Sequence, residues 1–344
     1  MTISHQHLLR AASRTFALSI ERLPGVIGEA MGLAYLLLRV SDFLEDNDYM
    51  PPERKVELLQ LWDNILAGEV SAERLVEQLA PPGDDPDAQV AHRSVEILEK
   101  VHALPLALQN HVLVHVRNST QGMARWVARG PDISQEVDMD DYMHEVAGRV
   151  GYLVTEVFAW YSGFIRARMN SLMPLAREFG LALQTVNIIR GLRKDYERGW
   201  IYVPESFCAA VNLRRTDLFK PEYQIQALQV VDIIADKAER HLKSALAYVK
   251  ALPRWLHALR LACIWPLLFA ARTLALSRQN VNVLMGEVKM TRAEIKTIIR
   301  DTTLFGWSNT WLDNYYRRLQ APPPVEPPSP PSRPPRARLL PVGK

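Results

Sequence analysis

Along most of this chain, apolar residues return every three or four positions, the period of a helix, and strict alternation is rare. Val and Ile are plentiful, but they lie in long mixed runs with Leu, Ala, Glu and Arg, not in short strands. The pattern predicts helices over about residues 5–19, 25–47, 52–68, 71–79, 88–101, 105–129, 139–159, 165–196, 223–250, 253–278 and 291–319. Pro24-Gly25, Pro51-Pro52, Pro81-Pro82-Gly83 and Gly130-Pro131 mark breaks. Asp138, Asp140 and Asp141 suit the cap and first turn of the helix that carries Tyr142. No repeat and no compositional boundary divides the body. The expected fold class is all-α, with one helical domain over 1–320 and a tail over 321–344.

Two polar stripes interrupt otherwise apolar helices. The first is Tyr35, Arg39, Asp42 and Asp46 within GLAYLLLRVSDFLEDN; the second is Gln184, Asn187, Arg190 and Asp195 within LALQTVNIIRGLRKDYERGWIYVP. Steps of three and four residues return to one helical face. Leu33, Leu36, Leu37, Leu38, Val40, Phe43 and Leu44 fill much of the first helix's remaining girth, which marks it as buried. A buried carboxylate needs a partner, and two carboxylates a turn apart can hold a hard cation such as Mg²⁺ that shares its other ligand positions with phosphates. Taken alone, the run Ser41 to Asp48 fits a solvated acidic helix end as well as a metal site. Two such helices together imply a cleft, polar at its mouth and apolar inside.

Composition narrows the alternatives. The formal net charge is +3, and the tail, with Arg333, Arg336, Arg338 and Lys344 against Glu326, carries all of it. A neutral body argues against nucleic-acid binding. The tail holds ten of the 23 prolines and is expected to be extended and solvated, its basic end with Leu339 and Leu340 able to touch anionic lipid. Cys208 and Cys263 are too few for a disulfide framework and read as core thiols in a reducing compartment. The N-terminus lacks a secretory pattern. The most apolar stretch, Leu259 to Leu276, is broken by Arg260, Pro266 and Arg272, so no transmembrane helix is expected. Gly148 and Gly151 are costly inside a helix and imply that another helix or a ligand approaches closely there.

Five segments together resemble the squalene/phytoene synthase family of isoprenyl diphosphate synthases, over roughly residues 13–319. They are SRTFALSI (13–20), YLLLRVSDFLED (35–46), YMHEVAGRVG (142–151), LQTVNIIRGLRKD (183–195) and VLMGEVKMTRAE (283–294). The last is closer to squalene synthases than to phytoene synthases. The resemblance implies an isoprenoid synthase bundle around a central cavity. There two farnesyl diphosphates would couple head to head with Mg²⁺, and NADPH would reduce the product. It implies Asp42, Glu45, Asp46 and Asp195 as metal ligands. Arg14, Arg39 and Arg190 would clamp phosphates, with Ser13, Phe16, Gln184 and Asn187 contacting substrate. Tyr35 and Tyr142 would attend the cation or move a proton. Lys289, with Arg39 and Asn187, would meet the reductant. Phe16, Leu153, Val154, Val157, Phe158, Leu183 and Val186 are expected as apolar lining.

One position departs from the family pattern. The second acidic motif usually carries an aspartate directly after its arginine; here Gly191 stands there, while Asp195 remains. Three readings stay open: reductive synthesis of squalene, non-reductive coupling of the phytoene or dehydrosqualene type, and a non-catalytic binding protein. The resemblance implies a cytoplasmic protein, and an oily product favours peripheral contact with the inner membrane surface. The sequence does not set an oligomeric state.

Overall fold

The computed structural model describes residues 5–321, apart from the side chains of His5, Arg14 and Thr15. The expected clamp Arg14 and the tail beyond residue 321 therefore lie outside the described residues. The described residues form helices and no strand. In order these are α1 (His5–Ala12), α2 (Arg14–Ile20), α3 (Gly25–Asp46), α4 (Pro52–Leu66), α5 (Glu73–Val76) and α6 (Pro86–Ala91). Next come α7 (Ser94–His102), α8 (Leu106–Arg129), α9 (Glu136–Met143), α10 (Arg149–Tyr161), α11 (Gly163–Arg166) and α12 (Met169–Glu197). The last are α13 (Glu205–Ala209), α14 (Gln224–Ala251), α15 (His257–Ser277), α16 (Asn282–Met285), α17 (Arg292–Phe305) and α18 (Asn309–Leu319).

The boundaries have local causes. Ser13 accepts a hydrogen bond from the Phe16 amide at 3.3 Å and starts α2, splitting the helix expected over 5–19. Reciprocal capping boxes, Gln135 with Asp138 and Thr291 with Glu294, open α9 and α17. The stretch expected as one helix over 291–319 breaks at Gly306 and restarts at α18, where the Ser308 side chain accepts from the Trp311 amide. The stretches expected over 88–101 and 165–196 are likewise each two helices, and only α5 forms within 71–79.

The largest local departure falls inside the helix expected over 139–159. Between α9 and α10 the chain makes one wide π-helical turn, His144–Gly148. Such turns insert a residue and re-aim the side chains on either side. Here the turn sits where two helices touch without side chains. A Cβ on Gly151 would collide with the Ala176 carbonyl of α12, and one on Gly180 of α12 would collide with the Ala147 carbonyl. The glycines of the VAGRVG segment thus serve close helix approach, with Gly180 as their counterpart.

The central helix α12 packs on α10, α14 and α15, while α3 packs on α8. Leu33, Leu36, Leu37, Val40 and Leu44 of α3 are fully buried, as their spacing predicts. By length and composition α15 is apolar enough to cross a membrane, yet it is largely buried inside the bundle. Its Arg260 is fully buried; Nη1 and Nη2 donate to the carbonyls of Val249, Leu252 and Gly306 and to Asn309 Oδ1, while Nε has no partner among the described residues. Cys208 and Cys263 are free and buried.

Candidate active site

A cavity of about 1080 Å³ opens between α3 and α12. That lies at the upper end of the roughly 300–1,000 Å³ usual for small-molecule pockets, and leaves room for more than one chain-like ligand. Asp42, Asp46, Asn187, Arg190 and Asp195 line its polar part; Phe158, Phe179, Tyr248, Cys263 and Pro266 line its apolar part. Both polar stripes read from the sequence therefore face one space.

The C-terminal end of α3 is crowded with carboxylates. Asp42 pairs with Arg39 at 3.0 Å. Burial nevertheless pushes its carboxyl up to about 6, Arg39 opposing the shift while Asp46 and Asp87 add to it. Glu45 is 8% exposed, and its Oε1 has no hydrogen-bond partner among the described residues. Burial, then the charges of Asp46 and Asp42, hold it well above the usual carboxylate range. Arg39 is shared: its Nε donates to Asp87 Oδ1 of α6 at 3.1 Å, and its Nη2 to Asp87 Oδ2.

Across the mouth, Arg198 joins the two helices. Its Nη1 lies 3.0 Å from Asp46 Oδ1 and its Nη2 2.6 Å from Asp195 Oδ1. Burial works against the guanidinium charge, but Asp46 and Asp195 outweigh it and raise its pKa. Burial also raises Asp195, with Arg198 pulling the other way. Gly191 lines the cavity directly beneath, and a Cβ there would lie 3.1 Å from Asp195 Oδ2.

The carboxylates fit a metal shared with a ligand. Among the described residues no three His, Cys, Asp or Glu groups gather into a ready-made cage. An unpartnered Glu45 oxygen and an Asp42 carboxyl whose pKa burial raises mark a place short of positive charge. Mg²⁺ binds in this way, through one or two carboxylates plus phosphate oxygens.

Aromatic rings form the wall between mouth and floor. Tyr142 stacks on Tyr202, centroids 4.6 Å apart, and meets Trp126 edge-on at 5.8 Å. Burial, then Glu45 and Tyr202, keep the Tyr142 hydroxyl protonated, its pKa well above the ordinary value. Tyr35 lies 5.8 Å from Phe16, centroid to centroid, and burial raises its pKa as well. Leu153, Val154, Phe158 and Leu183 line the cavity as expected. Val157 and Val186 do not; they are buried in the core, because their steps on α10 and α12 face neighbouring helices.

Other expected residues sit apart from the centre. Ser13 is outside the lining and caps α2. Arg190 pairs with Glu287 at 3.1 Å, and Glu287 with Lys289 at 2.6 Å. Lys289 belongs to a shallow rim depression with Asn280, Asn282 and Gly286, next to the main cavity. Glu287 lines the same depression and holds both cations, Lys289 and Arg190, in ion pairs that a phosphate-bearing ligand would have to displace.

Comparison with known proteins agrees with this geometry. The profile of the squalene/phytoene synthase family matches residues 9–294. The chain belongs to that family. Squalene synthases of Mus musculus and Homo sapiens are each 28% identical over 295 residues, covering 86% of this chain and 68% of theirs. A ligand complex of TcSQS superposes with a TM-score of 0.80 at 24% identity, covering 92% of this chain and 90% of that one. A dehydrosqualene synthase in complex with ligand gives 0.58 at 18% identity, covering 90% and 96%. The fold is the all-α isoprenoid synthase bundle, and as a family member the chain is a prenyltransferase.

Sequence reading missed four residues of this squalene/phytoene synthase site: Asp87, Arg198, Tyr202 and Glu287. Arg198 was legible, since it lies three residues beyond Asp195 on the same face. Asp87 carries no local signal; it reaches Arg39 across 48 residues of chain.

Proposed function

We propose that this chain couples two farnesyl diphosphates head to head through presqualene diphosphate and reduces the product to squalene. One observation carries this reading: the helix ends that carry Asp42, Asp46 and Asp195 meet across the mouth of a cavity whose far part is apolar. Asp42, Glu45 and Asp46 on one side and Asp195 on the other would hold Mg²⁺, which when bound neutralises charge on the departing diphosphate. Arg39 and Arg190 direct guanidinium groups at the same oxygens; Arg198, already between the motifs, adds a third. Charge placed in advance at a leaving group acts on the transition state.

Departure of one diphosphate leaves an allylic cation in the apolar part of the cavity. The faces of Tyr142, Tyr202, Tyr35 and Phe16 hold positive charge, and the aliphatic wall keeps water out. The double bond of the second substrate attacks that cation, and loss of a proton closes the cyclopropane ring. A protonated Tyr142 cannot take that proton, so in this reading its ring matters more than its hydroxyl. NADPH, when bound, supplies the hydride that ends the second stage; Lys289, Asn187 and Arg39 are the residues offered to it.

The test is to incubate the protein with farnesyl diphosphate and Mg²⁺, with and without NADPH, and separate the lipids by chromatography. Squalene with NADPH and presqualene diphosphate without it are the expected products. A conjugated triene formed without reductant would defeat the reductive assignment, and no diphosphate release would defeat coupling altogether.

A further inference from the structure

Away from the acidic mouth, two loops lie side by side. One joins α14 to α15 (252–256) and the other joins α17 to α18 (306–308). His257 Nε2 bonds the Thr303 carbonyl at 3.0 Å, and the buried Arg260 reaches the carbonyls of Leu252 at 2.9 Å and Gly306 at 3.2 Å. The helix α11 completes the platform: Phe164 meets Trp255 edge-on, centroids 5.0 Å apart, and the Arg168 guanidinium lies 3.6 Å over Phe164. From this braced surface Trp255, Leu304, Phe305 and Trp307 stand out, exposed by 69%, 58%, 48% and 53%. Single exposed apolar residues are ordinary; four large ones on adjoining segments form a patch that needs an occupant.

Charge identifies the occupant. Residues 161–170, 252–260 and 302–312 contain no Asp or Glu. Arg166 and Arg168 donate only to main-chain carbonyls, and Arg254 has no carboxylate partner among the described residues. A second copy of the chain, seated about a two-fold axis, would set these arginines against one another. Tryptophan beside arginine instead matches a membrane–water interface, and unpaired arginines are drawn to an anionic leaflet. The patch also adjoins the cavity floor. From His257 to Cys263, which lines that floor, α15 rises about 9 Å.

We propose that this aromatic and arginine surface seats the protein on an anionic lipid bilayer, with the apolar end of the cavity turned toward the membrane. Only the consequence for catalysis, release of an oily product beside the bilayer, rests on the function proposed above.

The test sediments the full-length chain with phosphatidylcholine vesicles, and with the same vesicles containing phosphatidylglycerol. Binding needs no substrate, so its outcome is independent of the coupling reaction. The wild-type chain should partition onto the anionic vesicles with a blue shift in tryptophan emission, and far less onto the neutral ones. The double variant Trp255→Ser, Trp307→Ser should lose at least about tenfold of that partition. Arg254→Gln should lose roughly fivefold. Both variants should keep the wild-type melting temperature and turnover of detergent-dispersed substrate. All forms carry the same basic tail, so their difference reports the patch. Equal partition of the wild-type chain and the double variant would overturn the proposal, as would a wild-type chain left in solution. Self-association abolished by the double variant, without vesicle binding, would assign the patch to a second copy.

Discussion

The two helix ends that meet at the cavity mouth are built with opposite charge. The end of α3 carries Asp42, Glu45, Asp46 and Asp48 against Arg39, and its buried carboxyls are pushed toward protonation. The end of α12 and the turn after it carry Arg190, Arg193, Lys194 and Arg198 against Asp195 and Glu197. Gly191 is what tips the second end: an acid there would make the pair more alike. The first wall thus holds an excess of acid and the second an excess of base, although Arg190, Arg193 and Arg198 are paired with Glu287, Glu197 and the aspartates of the mouth. In the proposed reaction a metal diphosphate would answer both, the metal meeting the carboxylates of the two helices and the phosphate oxygens their arginines. In that proposed reaction the departure at Gly191 shifts the balance of charge between the helices while Asp195 remains.

Removing the acidic wall is the most severe way to break this asymmetry. Asp46→Ala should cut product formation by about 10²–10³-fold while circular dichroism and melting stay near wild type, because Asp46 is half-exposed. Normal turnover would remove Asp46 from the metal's ligands.

Restoring the missing acid narrows the asymmetry. In Gly191→Asp the nearest contact of the new Cβ is Asp195 Oδ2 at 3.1 Å, so the fold should tolerate it with a shift of a few tenths of an ångström in that carboxylate. The Mg²⁺ concentration for half-maximal rate should fall roughly tenfold with the same lipid product. A different product would show that Gly191 shapes the reaction space itself.

The smallest effect tests the cation-poor wall without any ligand. The folded Asp42 titrates at about 6 against an ordinary value of 3.8. Between those values the folded chain holds a proton that the unfolded chain has released. Metal-free stability should therefore fall as pH rises through that window and level off above it. A third of the Asp42 side chain is open to solvent, which limits the cost to about 1 kcal/mol. Asp42→Asn should reduce that slope, leaving the part that the raised Glu45 contributes, and stabilise the metal-free protein at neutral pH, as thermal melts on either side of the window would show. A slope unchanged by the substitution would assign it wholly to Glu45 or another group.

Much of this was written locally. The apolar face of α3, the stripe on α12 and the aromatic-led segment at Tyr142 each follow from spacing within one helix. What was not legible depends on partners distant in sequence. The π-turn at His144–Gly148 is set by backbone contact with α12, which no single-helix pattern encodes. Asp87 joins the site only because α6 is folded against α3. Ser13, expected to contact substrate, caps α2 and also meets the hydroxyl of Tyr35 on the cavity wall, and its residue type suits either role. Val157 and Val186 show the same limit for apolar positions, since core and cavity wall call for the same side chains.

The glycine seam between α10 and α12 has a consequence for how such a tunnel can evolve. Where two main chains touch, no side chain remains to be trimmed, so this wall of the cavity is fixed. Longer or shorter prenyl chains must then be accommodated farther down, where Phe179, Tyr248 and Cys263 can be exchanged for bulkier or slimmer residues. In this protein one side of the cavity is held by backbone, and its far end is shaped by side chains.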